Sequence, residues 1–400
     1  MDKYETTAKY NIAETCAASI SINDLQDLSE DRNSTQLWDL STKLTYGTIR
    51  GSLPLRTNLA NLYSSKAPKR FEPSDIIIAP GAIAANMMLY HGLLSKGDHV
   101  ICHYPTYQQL YEIPTSLGAE VSFWKAGESR KWQLDIEDLN PLIRPNTKMI
   151  IINNPHNPTG AVLPKSLLEA LVTLASEHGI IIHSDEVYRP LFHSISPASD
   201  LFPPSLLSFP YARTIVTGSM SKAYSLAGIR VGWLASRSPE ILEACAQARD
   251  YTTISVSQID DAVAAFALGP STIHALLARN IQLAKRNLGI LEEWIESHRW
   301  ACEWVRPVAG TIAFVKFSKM GKEIDDVVFC ERLMEACGVM LCPGSRCFGN
   351  DADFKGYVRF GFCCETKVLE DGLANMAEFM KASYDGIPLV EKEKVKGLYF

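Results

Sequence analysis

Five short runs, each four to six residues long and most of them rich in Ile and Val, recur through the first half of the chain at 76–79, 99–103, 120–124, 148–153 and 180–184. A strand that is apolar at nearly every position has to be covered on both faces, and only a parallel sheet with helices on either side does that. Helical patterns lie between the runs. The clearest, over 164–178, puts Leu167, Leu168, Leu171, Val172, Leu174 and Ala175 on one face, opens with Pro164 and stops at Gly179. Two more strands, 214–217 and 230–235, bracket a loop rich in Ser and Gly. After a helical stretch over 271–299 the pattern changes to strand 311–317, helix 324–337, strand 357–363 and helix 366–382. The expectation is an α/β protein. A large domain over 41–290 carries a mostly parallel sheet between helices, and a smaller α+β domain covers 291–390. The segment 1–40 has no sheet pattern and is expected to pack on the small domain, and 391–400 reads as a tail.

Composition narrows the partners. With 46% hydrophobic and 21% charged residues the chain is neither disordered nor fibrous, and a net charge of -6 disfavours nucleic acid or an anionic membrane. The uncharged run 76–95 has the length of a membrane span, but Pro80, Gly81, Asn86 and His91 divide it into strand, turn and helix. Ten cysteines are scattered without a C-x-x-C pair, and the start lacks an apolar signal core. Both features lead us to expect reduced thiols in a cytoplasmic protein. Asn33-Ser34-Thr35 matches a glycosylation sequon and is read as chance. No phosphate-loop, dinucleotide or zinc motif is present, so no metal is expected.

The loop between 217 and 230 carries the chemistry. Ser219-Met220-Ser221-Lys222 fits the S-x-x-K pattern of acyl-serine hydrolases, yet the S-D-N and K-T-G partners of that pattern are missing. A second reading suits the surroundings better. Lys222 is an amine able to form a Schiff base with an aldehyde, and Ser219, Ser221 and Arg230 around it can hold a phosphate dianion. Gly81-Ala82-Ile83 opens a helix directly after a strand, where backbone N–H groups meet anions. Asp185 ends a buried strand, at the sheet edge where α/β proteins bind ligands.

Four blocks in order, Pro105-Thr106-Tyr107, Asn157-Pro158-Thr159-Gly160, Ser184-Asp185-Glu186-Val187-Tyr188 and the 218–233 segment, resemble the fold-type I pyridoxal-phosphate enzymes of the class I/II aminotransferase family. The resemblance implies pyridoxal 5'-phosphate bound through Lys222, with Ser219, Ser221, Arg230 and the Gly81-Ala82-Ile83 turn on its phosphate. It implies Asp185 beside the pyridine nitrogen, Asn157 and Tyr188 on the phenolic oxygen, and Tyr107 stacked on the ring. Lys222, Asp185 and Tyr188 would be the catalytic set. Tyr46, followed by Gly51 and Leu55-Arg56, matches a block whose Tyr reaches the neighbouring subunit's cofactor, which implies a homodimer. Arg359 matches the arginine for the substrate's α-carboxylate, with Asn157, Glu14 and Thr15 also expected at the substrate.

The family resemblance implies an aminotransferase acting on a small α-amino acid. Two segments point toward elimination or cyclisation instead. Residues 11–16 resemble a block of aminocyclopropane-carboxylate synthases, and 249–255 resemble capreomycidine synthase, which cyclises an arginine derivative. No arginine stands at 255–258 to select a second carboxylate, so a dicarboxylic substrate is not expected. Tyr107, Tyr111 and Tyr251 would suit a neutral, aromatic or cationic side chain. A degenerate fold kept only for binding would have lost Lys222 or Asp185, and both are present.

Overall fold

The computed structural model describes residues 4, 6–31, 37–65, 67–199 and 202–390. The Asn33-Ser34-Thr35 sequon and the 391–400 tail lie outside them. Seven strands form the central sheet in the order Ile76–Ala79, Gly232–Ser236, Thr214–Ser219, Ile181–Asp185, Thr147–Asn153, His99–Tyr104, Glu120–Lys125. All neighbours are parallel except Gly232–Ser236, which runs antiparallel to both strands beside it. The run 76–95 is a strand, Ile76–Ala79, and a helix, Ala82–Leu93. Among the described residues no helix is long and apolar enough to cross a membrane.

Strand periodicity divides the core. Ile76, Ile78, Ile101, Ile150, Ile152, Ile182 and Val216 belong to one apolar cluster. Their chain neighbours Ile77, Val100, Cys102, Met149, Ile151, Ile181 and Ile215 belong to another. Alternate residues of a strand face opposite sides, so a continuous apolar run fills both layers at once.

A second, antiparallel sheet holds Ile312–Lys319, Tyr357–Gly361, Cys342–Pro343, Lys322–Glu323 and Cys302–Trp304. The 25-residue helix Ile273–Ser297 joins the two bodies and runs through the boundary expected at 290. Asn280 Nδ2 donates to Ala223 O at 2.8 Å on the large side, and Asn287 Nδ2 donates to Phe362 O and Cys364 O, each at 2.8 Å, on the small side. Near the start of the chain, Tyr10–Asn11 pairs in parallel with Val339–Met340 of the small body. Residues 12–18 then pass to the central sheet's edge, where Ala17 N–H donates to Lys222 O at 3.1 Å.

Candidate active site

Parallel strands bring their carboxyl ends to one edge. Asn153 and Asp185 are in register there, and Asp185 is in register with Thr217, two residues before Ser219. The Ile76–Ala79 strand points the same way, so the helix that follows it also starts at this edge. That start is backbone packed on backbone: a Cβ on Gly232 would collide with Gly81 C and lie 2.5 Å from Ala82 N. Gly81 itself has φ +84°, and a side chain there would sit 2.7 Å from Arg230 Nη2. The guanidinium therefore stands over the helix N-terminus. Ser219 Oγ donates to Ser221 Oγ at 2.8 Å, and Arg230 Nη1 donates to Ser221 Oγ at 3.4 Å and to Ala227 O at 2.9 Å. Two hydroxyls, a guanidinium and open helix N–H groups make a dianion cradle.

Lys222 Nζ donates to Thr15 Oγ1 at 2.8 Å and lies 3.6 Å from Cys16 Sγ. Burial opposes its charge, but Tyr188, Cys16 and Glu14 facing it prevail, and its pKa stands above that of an ordinary lysine. Tyr188 is 2% exposed, and Gly310 lies against its ring.

Asp185 is buried, which pushes its carboxyl up to about 6 against the opposing hydrogen bonds. Oδ1 accepts from Val187 N–H at 3.2 Å, and Oδ2 accepts from Asn86 Nδ2 at 3.4 Å. Asn86 sits one turn into the Ala82–Leu93 helix, and its Nδ2 also donates to Gln109 Oε1 at 3.2 Å. One turn further, Tyr90 OH bonds His183 Nδ1 at 3.0 Å, and His183 Nε2 bonds Thr217 Oγ1 at 3.0 Å. The helix is thus fixed to the Asp185 strand at two levels.

On the opposite wall Arg359 Nη1 donates to Asn157 Oδ1 at 3.2 Å and Nη2 donates to Ala13 O at 2.9 Å, while Nε is buried and has no partner among the described residues. Asn157 N–H donates to Asn153 Oδ1 at 2.6 Å. His103 and His156 stack with ring centroids 3.8 Å apart, and His156 bridges Thr159 Oγ1 and Pro105 O at 2.7 and 2.6 Å. Burial drives both imidazoles well down, His156 to about 3, so both are neutral. They pin the Tyr107 loop to the Asn157 loop.

One cavity of about 320 Å³ is lined by Lys222, Asp185, Tyr188, Ser219, Ser221 and Arg230, and equally by Ala82, Ile83, Tyr107, Asn157, Arg359, Glu14 and Thr15. Of the residues expected from sequence, Gly81, Tyr46, Tyr111 and Tyr251 are not among its lining. Gly81 abuts it through Arg230. Tyr46 is 75% exposed and lines a different cavity with Trp38 and Gln258. The side-chain pocket expected around three tyrosines is not assembled: Tyr107 is there, but Tyr111 OH donates to Asn350 Oδ1 and Tyr251 is 92% exposed. Arg249 is buried in the helix Pro239–Asp250, away from the cavity. Size does not locate the chemistry, because a larger cavity of about 700 Å³ beside Arg189 and Phe192 holds none of the expected site residues.

Sequence reasoning missed Asn86, Gln109, Asn153, Cys16 and the His103–His156 stack. Cys16 adjoins Thr15 and was within reach of the segment argument; the others carry no local pattern. The arrangement fits a phosphorylated pyridine aldehyde: a phosphate cradle, a buried carboxylate at the sheet edge, and an amine in the same cavity.

Comparison with known proteins agrees. The family model for aminotransferase class I and II matches residues 21–375. Capreomycidine synthase of Streptomyces vinaceus is 30% identical over 76% of this chain and 74% of its own length. Aspartate aminotransferase of Thermotoga maritima is 29% identical over 85% of this chain and 84% of its own. A pyridoxal-phosphate-dependent aminotransferase structure from Streptococcus suis 89-1591 superposes with TM-score 0.84 at 40% identity, covering 95% of each chain.

Proposed function

The chain belongs to the class I and II aminotransferases, is a pyridoxal-phosphate-dependent enzyme of that family, and from this premise we propose how its own residues divide the work. When bound, the cofactor supplies an electron sink for the pair released at the substrate's Cα. Arg359 grips the α-carboxylate, for which a planar fork suits better than an ammonium. Because Arg359 already occupies Asn157 Oδ1, the Asn157 Nδ2 is left as a donor for the phenolic oxygen, together with Tyr188 OH. Asp185 holds the ring nitrogen protonated. Lys222 Nζ moves the proton at Cα, with Thr15 Oγ1 as its resting partner. Ser219, Ser221, Arg230 and the N–H groups after Gly81 hold the phosphate.

The observation that carries this reading is the convergence of Lys222, the cradle and Asp185 in one cavity. Protein incubated with pyridoxal 5'-phosphate should develop a visible absorption band that Lys222→Ala lacks while keeping its far-ultraviolet dichroism. Absence of the band in the wild type would refute the assignment of Lys222.

Similarity to capreomycidine synthase favours a second reading, in which the amino group stays with a rearranged product. Mixing with an amino acid and no 2-oxo acid separates the two: an aminotransferase releases a stoichiometric 2-oxo acid in one turnover and stops. Free thiols support a cytoplasmic location. Exposed Tyr46 supports a homodimer in which it serves the neighbour's phosphate.

A further inference from the structure

Segment 11–18 is fastened from both sides. Asn11 Oδ1 accepts from Ala13 N–H and Glu14 N–H, each at 3.1 Å. Gly361 N–H donates to Ile12 O at 2.7 Å, Thr311 Oγ1 donates to Thr15 O at 2.6 Å, and Arg359 and Lys222 hold Ala13 and Ala17 as described. Gly361 lacks a Cβ where Glu14 O passes, so the backbone of Glu14 lies directly against the strand that carries Arg359. Glu14 is therefore anchored between the group that takes the α-carboxylate and the amine that works at Cα.

The charges of the cavity can be paired off. Arg230 belongs to the cradle, Arg359 to the α-carboxylate, and Asp185 to the ring nitrogen. Glu14 is left over. Among the described residues its carboxylate has neither ion pair nor hydrogen bond, although it lines the cavity and its charge is felt at both Lys222 and Cys16. Beyond Lys222, Arg230 and Arg359, whose roles are already assigned, no lining residue among the described ones offers a cation for a second substrate carboxylate.

Building on the reading above, we infer that Glu14 is a specificity-determining residue and that the substrate is an α-amino acid whose side chain ends in a cation, a guanidinium or an ammonium. On this inference the substrate's side chain extends from Cα past Lys222 toward the Glu14 carboxylate, which is solvent-exposed while lining the same cavity. A neutral isostere meets the same walls without the charge, and an anionic one is repelled.

The test compares arginine with citrulline and lysine with norleucine, pairs that differ in charge at nearly constant shape. In the wild type kcat/KM should favour the cationic member of each pair by about five- to tenfold or more. Glu14→Gln should bring both ratios close to one, with a larger loss for lysine and arginine than for norleucine and citrulline, and Glu14→Asp should retain the preference. Lys222→Ala protein loaded with pyridoxal 5'-phosphate supplies a readout without turnover: its dissociation constants for arginine and citrulline should differ in the same sense, and adding Glu14→Gln should remove the difference. Equal ratios in the wild type would overturn the inference, as would an equal loss for all amino acids in Glu14→Gln, which would assign Glu14 to the common α-ammonium. Absence of a visible band together with no turnover of any amino acid would bring down the underlying reading, and this inference with it.

Discussion

Asp185 works against the stability of the unliganded protein. Its folded pKa, about 6, lies above the ordinary value of 3.8 because burial disfavours the charge. The folded state therefore holds more protons than the unfolded state between about pH 4 and 6, and stability falls as pH rises through that window. At neutral pH the full cost applies, on the order of 3 kcal/mol. Asp185→Asn should make the cofactor-free protein more stable at pH 7.5, by up to that amount, and flatten its pH dependence, as urea unfolding at pH 5 and 7.5 would show. The same variant should lose several orders of magnitude in turnover, since an amide cannot hold the ring nitrogen protonated. Near wild-type turnover would leave Asp185 with a purely structural role. Asn86→Leu removes the Nδ2 donor to Asp185 Oδ2 and should move the acidic limb of the kcat/KM profile upward in pH with little change in the basic limb. An unmoved acidic limb would show that Val187 N–H alone suffices.

Elements were legible where they carried their own signal. Most of the strands were readable because they are apolar almost throughout, while Glu120–Lys125, at the sheet's edge with both ends exposed, departs from the expected two-sided burial; the Ser219–Arg230 cradle was readable because its parts are close in sequence. Helices Leu53–Ser64 and Pro239–Asp250 were passed over, although each begins with Ser followed at N1 or N2 by Pro, and Ser52 and Ser238 accept the expected capping bonds from Leu55 N–H and Ile241 N–H. Two-residue strands such as Tyr10–Asn11 are too short to show any alternation. Asn86 looks like a helical amide in an apolar stretch, and only the crossing of its helix over the sheet reveals its partner. The same crossing depends on Gly232. Gly232→Ala would press a methyl into the backbone of Gly81 and Ala82, displacing the helix start from Arg230. Overpacking of this kind costs about 1–3 kcal/mol. Pyridoxal-phosphate affinity should fall at least tenfold, measurable by titration of the cofactor-free protein; unchanged affinity would mean that the N-terminus of this helix does not bear on the phosphate.

At the scale of the whole molecule, the site is assembled from far-separated stretches, and the role proposed for Tyr46 would add a demand on a second copy. Mixing inactive Tyr46→Ala and Lys222→Ala proteins should restore part of the activity, because a hybrid pair retains one intact site. Complementation that never appears, with a monomer active by itself, would place Tyr46 outside the chemistry. The pairing of Tyr10–Asn11 with Val339–Met340 has a consequence for biosynthesis. The stretch that carries Tyr10–Asn11 is synthesised long before its partner strand Val339–Met340. At about 5–20 residues per second the wait is on the order of tens of seconds. The central sheet can form in that interval, but Ile12, Ala13 and Ala17, buried in the finished protein, have nothing of the small body to close against. A nascent chain halted before Tyr357–Gly361 would also lack Arg359. Catalytic competence thus arrives only once the strand with Arg359 has been made, and chaperones that hold apolar segments have a long opportunity at residues 12–17.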